Sequence, residues 1–375
     1  MKRLLVLISV FLASACVGLV IGVSVVLATS DQSLDAILQK FTTLDWMEIV
    51  IPLMAVFIGL YIGAILHIIV HEAGHLVAGL KCGYKFVSFR ILNLTFVKEN
   101  GKLTVKRFGL KGTGGQCLLT PPDIPTEDVP VVAYNLGGVT SNILLSAVFV
   151  ALGLLFKDSF FASTSLLLAA AVGIVLALMN GIPMKLGGFP NDGYNALKLN
   201  KNKASKNALL SILRANALVQ YGTRPSELSD NLFKGMEGYD SSNPLEANHL
   251  LFYASVLDDR GARTKAESIY RDIANKNKGI LQLEAKCGLA VNLLLKDRTE
   301  EAKALLDKRD MVMVNSYKKM QSSKMTLLCL LALKVDKDRE KAESIYNELK
   351  EKQGHYLMQG EVRMDLAMME RVLNG

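Results

Sequence analysis

Long apolar runs alternate with polar segments in the first half of the chain and disappear from the second half. Four runs, at residues 4–28, 49–80, 131–156 and 163–182, are long enough to cross a bilayer, which takes about 20 residues of helix. From about residue 206 onward, apolar positions recur at helical spacing among many charged ones. The pattern predicts a mainly α, polytopic membrane protein with about four transmembrane helices, followed by a soluble α-helical domain.

The first run follows a basic N-terminus and has two interpretations. One is a secretory signal peptide cleaved after Ala28, but the apolar region of such a peptide is only about 7–15 residues long. We therefore expect a retained span within residues 1–30. After it, Leu34, Ile37 and Leu38 with Phe41 recur at helical spacing, which predicts a short amphipathic helix in the membrane interface.

Basic residues indicate which side of the membrane each loop occupies. Loops 29–47 and 157–162 hold one lysine each, whereas the segment between the second and third runs holds eight basic residues. Because basic loops stay inside, we expect that segment and the C-terminal domain to face the cytoplasm, beside the cell membrane. The net charge of +8 then reflects topology and attraction to the lipid bilayer, and we expect no nucleic-acid partner. The cysteines show no paired spacing, which agrees with a reducing compartment.

The cytoplasmic segment between spans 2 and 3 predicts a small β-hairpin or sheet. In "TFVKENGKLTVK", Asn-Gly separates two β-prone runs, a strong signal for a two-residue turn that pairs Glu99 with Lys102 and Val97 with Thr104. The glycine-rich stretch "GTGGQCLLTPP" follows. It lacks the GK[ST] of a phosphate-binding loop, so nucleotide binding is not favoured.

The C-terminal region contains a repeated short sequence. "KAESIY" occurs at 265–270 and at 341–346, with "EEAKALL" between them, and aligning Ala266, Ala302 and Ala342 gives intervals of 36 and 40 residues. This approximates the period of tetratricopeptide-like (TPR-like) helical hairpins. The alternative is a generic helical bundle in which the repeated hexapeptide occurs by chance.

The second apolar run carries "HEAGH". On a helix, His71 and His75 lie one turn apart on one face and can share a zinc ion, while Glu72 is close enough to act as a general base without being a ligand. A charge at mid-bilayer costs about 2.5–3.5 kcal/mol, so an idle glutamate there is not expected. The alternative to a zinc site is that these three polar residues lie near the end of the span and extend their side chains to the membrane surface. His67, one turn earlier, is more typical of a packed or supporting histidine than of a ligand.

A catalytic zinc site usually has a third protein ligand. Asp192, just past span 4, is the best candidate, because two further crossings return the chain to the side of the membrane that His71 and His75 face. His249 and His355 are also donors, but both lie in the helical tail, far from this junction in sequence.

These motifs resemble those of the site-two protease family of intramembrane zinc metalloproteases. The resemblance rests on "HEAGH", on "NLGGVTSN" at 135–142 and on "NGIP…PNDG" at 180–193, and covers roughly residues 48–195. Two departures occur: Gly138 stands where proline is usual, and the spacing from Asn180 to Asp192 is about four residues longer. No PDZ-like insertion is present, which is typical of the small branch of the family.

The resemblance implies that Asp192 is the third zinc ligand, and that Asn142 and Asn180, with Gly115 of the glycine-rich loop, hold substrate or stabilise the oxyanion. It implies a protease core at 48–195. The pattern of charged and apolar residues places a basic linker at 196–206 and a helical domain at 207–375 after this core.

The leading hypothesis is therefore an intramembrane zinc endopeptidase that cuts a single-span membrane protein or a remnant signal peptide. The helical tail would dock substrate or another cytoplasmic protein. The hairpin at 94–106 would capture the unwound substrate by β-augmentation, or would only plug the cytoplasmic mouth. Cys117 is either a zinc ligand that holds the enzyme latent or a small buried apolar group.

Two functions of other classes compete. One is a zinc-binding membrane scaffold or transporter, for which a glutamate directly after the first histidine has no use. The other makes the helical tail the functional part and the membrane region its anchor.

Overall fold

A computed structural model describes residues 45–375, apart from 100–101, 109–112 and 187–188, together with residues 33, 35 and 39. The span expected at 4–28 and the amphipathic helix expected at 34–41 lie outside the described residues.

The described chain is mainly helical, with one small sheet and one very short strand pair. The longer helices are α1 Trp46–Phe57, α2 Gly63–Lys81, α3 Val131–Leu155, α4 Phe160–Gly181, α5 Asp192–Lys198, α6 Lys203–Gln220, α7 Pro244–Asp259, α8 Arg263–Lys276, α9 Gly279–Leu294, α10 Thr299–Leu305, α11 Lys308–Tyr317, α12 Ser322–Leu330, α13 Arg339–Lys352 and α14 Gln359–Asn374. The strands are β1 Lys85–Ile91, β2 Leu94–Glu99, β3 Lys102–Arg107, β4 Gly115–Thr120, β5 Lys185–Leu186 and β6 Phe189–Pro190.

Three stretches of the described chain are long and apolar enough to cross a membrane: Met47–Lys81, Val131–Leu155 and Phe160–Gly181. They match the second, third and fourth predicted spans. The first is α1 and α2 joined without a break by a π-helical turn at Ile58–Ile62. Their outward faces carry large exposed apolar side chains, such as Leu144 at 63% exposure, which water would disfavour and lipid accommodates.

Glycines allow these helices to approach closely. A Cβ on Gly74 of α2 would lie 2.3 Å from the carbonyl oxygen of Gly137 in α3. A Cβ on Gly63 of α2 would lie 2.8 Å from the Cβ of Ala169 in α4. Small residues at helix contacts are the usual means of close packing in a membrane. The Met47–Lys81 span therefore packs against both of the other described spans.

The sheet between the second and third spans has four antiparallel strands in the order β3-β2-β1-β4. The predicted hairpin register is confirmed, with Glu99 opposite Lys102 and Val97 opposite Thr104. β4 is an edge strand that pairs with β1, and it lies against α2. The β2–β3 hairpin is on the opposite side of β1 from β4.

The segment expected to be a linker is helical and fixes the tail to the sheet. It contains α5, a 3-10 turn at Leu199–Lys201 and the start of α6. α6 then packs on β4, with Ala217 in one apolar cluster with Val87 and Leu118. At the end of α6, the Gln220 amide oxygen accepts a hydrogen bond from the hydroxyl of Ser88. Membrane core and tail thus share a hydrophobic interface.

The remaining helices, α7 to α14, form a layered α-helical region around two apolar clusters. Ala266, Ala302 and Ala342 are all fully buried, and each is the fourth residue of its helix. The alignment drawn from the sequence therefore joins structurally equivalent positions, and the assignment to TPR-like repeats stays a prediction.

Candidate metal centre

Three donor side chains from two distant parts of the chain converge beside α2. Nε2 of His71 lies 3.1 Å from Oδ2 of Asp192, Nε2 of His75 lies 3.3 Å from the same oxygen, and the two Nε2 atoms are 3.1 Å apart. A tetrahedral zinc site with bonds of about 2.0–2.2 Å separates its ligand atoms by roughly 3.3–3.5 Å. The observed separations of 3.1 to 3.3 Å are slightly shorter than this spacing but close to it, and each residue offers one ligand atom, so the group could hold a metal ion.

Each imidazole makes a second polar contact through Nδ1, the ring nitrogen that faces away from Asp192. Nδ1 of His75 lies 2.8 Å from the backbone oxygen of Tyr134 at the start of α3. Nδ1 of His71 lies 3.2 Å from the side-chain amide of Asn142, further along the same helix. Such outer contacts orient ligand histidines and leave the opposite nitrogen for the metal.

Gly138 leaves room for this group. A Cβ at this position would lie 2.6 Å from Nε2 of His75 and 2.7 Å from Nε2 of His71. Proline, or any residue with a side chain, would therefore press on both candidate ligands. The glycine that stands where the resembled family usually has proline is thus a residue of α3 that lies directly against both histidines.

Asp192 reaches the histidines because the loop after α4 is tightly folded. The Asn191 side chain donates to the backbone oxygens of Met179 and Ile182, both at 2.7 Å, and caps α5 by accepting from the backbone N–H of Tyr194. A Cβ on Gly193 would lie 2.0 Å from a backbone oxygen at the end of α4. Sequence reasoning missed Asn191, although an asparagine directly before an aspartate and a glycine is a typical helix cap.

The charge of Asp192 suits a cation ligand. Burial alone would raise its pKa, but hydrogen bonds from His71 and His75 outweigh that effect and lower the pKa to about 2. The carboxylate is therefore ionised at any physiological pH.

Glu72 projects toward β4 instead of joining the three donors. A Cβ on Gly115, the first residue of β4, would lie 2.6 Å from Oε1 of Glu72. The adjacent backbone is held by Arg90, which is only 2% exposed and donates to the carbonyl oxygen of Gly115 and to the hydroxyl of Thr113. The edge strand β4 thus begins beside the carboxylate, with its carbonyl oxygens at Gly115 and Cys117 accepting from the side chains of Arg90 and Tyr134. Arg90 was not foreseen from the sequence, where it appeared only as one of several loop charges.

The two asparagines implied by the family resemblance lie in different surroundings. Asn142 is 1% exposed and sits behind His71, between its Nδ1 and Nδ1 of His67, so it faces other histidines and not open space. Asn180 donates to the backbone oxygen of Leu176 within its own helix. Neither contact favours direct binding of substrate, and Asn142 is better placed to support His71.

Cys117 does not join the donors. Its side chain is buried in a cluster with Tyr84 and Leu119, and burial together with the nearby Glu72 carboxylate raises the pKa of the thiol to about 12. The group of described residues that could hold a metal consists of His71, His75 and Asp192 only. These surroundings favour the alternative of a small buried group over a latency ligand, because an apolar pocket disfavours the thiolate that binds zinc.

The remaining histidines are accounted for among the described residues. His249 is fully buried in the tail, where its ring stacks on Phe233, and His355 follows α13 in the same region. Neither approaches the donor group. His67 is fully buried beneath His71 and contacts it through Asn142.

Comparison with known proteins gives no family for this chain. No protein-family model, no curated protein and no solved structure matches it.

Proposed function

We propose that this protein is an intramembrane zinc metalloendopeptidase of the site-two protease type. The observation that carries the proposal is the convergence of His71 and His75 of the apolar helix α2 with Asp192 at the start of α5, at a spacing close to that of one tetrahedral ion. The donors are two imidazoles and a carboxylate, the set used by many zinc hydrolases. The glutamate between the histidines lies beside the group and remains free for proton transfer.

The chemistry follows from the roles available to these side chains. Zinc, when bound, supplies a Lewis acid that polarises the scissile carbonyl and makes a water acidic enough to lose its proton near neutral pH. Glu72 accepts that proton as general base and delivers it to the departing amine. Asp192 contributes negative charge and a fixed position, and Asn142 holds the ring of His71.

The proposed substrate is a transmembrane segment of a single-span protein or a remnant signal peptide. A transmembrane helix satisfies its backbone internally, so it must unwind before its peptide bonds can be attacked. An unwound segment could pair with the free edge of β4, which begins at Gly115 beside Glu72. This moves the proposed capture strand from the hairpin at 94–106 to β4.

The proposed location is a bacterial cell membrane, with the donor group toward the cytoplasm. Support comes from the eight basic residues between the second and third spans, on the side where the sheet and the tail lie. The tail would then present a cytoplasmic surface to a protein partner.

The deciding experiment compares the purified full chain with its Glu72→Gln variant on a panel of membrane-spanning peptides in detergent or nanodiscs. We expect wild type to cleave and to lose activity with a chelator, and the variant to keep zinc at the wild-type stoichiometry but to lose cleavage by at least about 100-fold. Zinc retention with unchanged function in the variant would instead favour a zinc scaffold or transporter. A wild-type protein without bound zinc would overturn the proposal.

A further inference from the structure

A chain of three buried side chains runs from the donor group into the middle of the helix bundle. Nδ1 of His71 lies 3.2 Å from the amide nitrogen of Asn142, and the amide oxygen of Asn142 lies 3.2 Å from Nδ1 of His67. His67 and Asn142 are 0% and 1% exposed. Side chains this deeply buried are removed from bulk solvent, so an unpaired polar atom among them is costly.

His67 is enclosed by all three spans. Its ring makes an edge-to-face contact with Phe149 of α3, at 5.7 Å between centroids. A Cβ on Gly173 of α4 would lie 2.3 Å from Nε2 of His67 and 2.2 Å from the hydroxyl of Ser146. Nε2 of His67 and that hydroxyl are thus neighbours, and both are buried without a hydrogen-bond partner among the described residues.

The direction of the hydrogen bonds along this chain determines what His71 can do. Nδ1 of His75 faces a backbone oxygen, which can only accept, so a neutral His75 carries its proton there and its Nε2 is free. His71 has no such fixed partner. It faces an amide that can present either its nitrogen or its oxygen.

With the amide nitrogen toward His71, as in the structure, Nδ1 of His71 accepts and the ring proton lies on Nε2, 3.1 Å from Asp192. That proton occupies the lone pair a cation needs. With the amide reversed, Nδ1 of His71 donates to the amide oxygen, and the amide nitrogen donates to Nδ1 of His67. The proton of His67 then lies on Nε2, beside the unpaired hydroxyl of Ser146.

We propose that His67 is a positioning residue for the metal centre: as a neutral imidazole it accepts from Asn142 and so allows His71 to present Nε2 to the cation. This inference rests on the metal binding within the proposed function, but not on peptide hydrolysis. A side chain at 67 that cannot accept a hydrogen bond would leave the reversed amide with an unpaired buried N–H, which disfavours that orientation.

The test is zinc affinity of the purified full chain, measured by competition with a chromophoric chelator. His67→Phe keeps a ring against Phe149 but removes both nitrogens, and should weaken zinc binding about 10–100-fold. His67→Asn places an amide near the position of Nδ1 and should restore most of the affinity. Ser165→Ala, which removes another buried unpaired hydroxyl from the same bundle, is the matched control and should bind like wild type.

Equal zinc affinity in wild type and a folded His67→Phe variant would overturn the inference and leave the proposed function standing. If wild type itself binds no zinc, the proposed function fails first. Should His67→Phe not fold, nitrogen NMR of histidine-labelled, zinc-loaded wild type decides: the inference requires an unprotonated Nδ1 on His67 and a protonated Nδ1 on His71. A protonated Nδ1 on His67 would contradict it.

Discussion

At the scale of single residues, the candidate metal centre depends as much on absent side chains as on present ones. Gly138 and Gly115 each occupy a place where a Cβ would collide with His71, His75 or Glu72. The sequence pointed to His71, His75 and Glu72 because their spacing is tied to helix geometry, and to Asp192 because two further membrane crossings return it to the same side. It could not point to the contacts made by Asn191 and Arg90, since these join residues whose proximity only the folded chain creates.

Gly138 offers a direct test at this scale. Gly138→Ala should weaken zinc binding by about tenfold or more, because overpacking costs about 1–3 kcal/mol and the new methyl group would press on both histidines. Chelator competition on the purified protein measures the effect. Gly153→Ala is the matched control on the same helix, where the methyl group would meet the side chain of Leu167 at 3.0 Å and the backbone oxygen of Ser163 at an ordinary contact distance of 3.5 Å. Equal losses in the two variants would show that helix packing, and not the donor group, is responsible.

At the scale of elements, local signals were sufficient for the hairpin and insufficient for the rest of the sheet. Asn-Gly fixed the turn and thus the register of β2 with β3, which the structure confirms. The pairing of β1 with β4 joins segments separated by that hairpin and has a register shift between Phe86 and Ser88. Nothing in the local sequence encodes such a pairing, so the strand that lies beside Glu72 was not predicted.

The two free edges of the sheet give competing places for an extended substrate. We expect β4 to be used, because it begins beside Glu72 whereas β3 is the far edge. Cysteine crosslinking in the Glu72→Gln background tests this. A substrate peptide with one cysteine near its scissile bond should form a disulfide with Gln116→Cys on β4 but not with Leu103→Cys on β3, although both positions are exposed. Crosslinking at residue 103 alone would return the role to the hairpin.

Buried carboxyl groups make the stability of the tail dependent on pH. Glu361 of α14 lines a cavity of about 270 Å³ together with Asp365, Asp258 of α7, Glu284 of α9 and Lys324 of α12. Burial, and then Asp365 and Glu284, raise the pKa of Glu361 to about 8, against the opposing effect of Lys324. The folded chain thus keeps this proton up to a higher pH than the unfolded chain does. The associated stabilisation is complete below the pKa of the unfolded chain and is lost as pH rises through about 8.

Glu361→Gln should therefore raise the melting temperature of the protein more at pH 8 than at pH 6. Differential scanning calorimetry of variant and wild type at both pH values measures this. Comparison at the same pH removes the contribution of other groups such as His249. Glu370→Gln, an exposed change on the same helix, should give no pH-dependent difference. A Glu361→Gln effect independent of pH would contradict the raised pKa.

At the scale of the whole molecule, the tail and the membrane core are not independent units. The sequence suggested a linker at 196–206, because its basic residues resemble a juxtamembrane segment. The structure instead continues the chain through α5 into α6, which packs on the sheet. Composition could not reveal this, since the small residue Ala217 that makes the contact leaves no mark in the hydrophobic pattern.

Ala217→Glu tests this interface. The residue is 3% exposed against Val87 and Leu118, so a carboxylate there would be buried without a partner and should lower the stability of the docked arrangement. Limited proteolysis should release the tail from this variant faster than from wild type. Leu218→Glu, at the adjacent position with 42% exposure, should behave like wild type. Equal release rates for the two variants would show that the interface does not hold the tail.

The order of the donors along the chain has a consequence for synthesis. His71, Glu72 and His75 enter the bilayer more than a hundred residues before Asp192 is made. At about 5–20 residues per second, the ribosome needs on the order of ten seconds to close that gap. A nascent chain therefore carries an incomplete donor set until its last membrane segment is inserted, and under the proposed function it would not hydrolyse neighbouring newly made proteins during that interval.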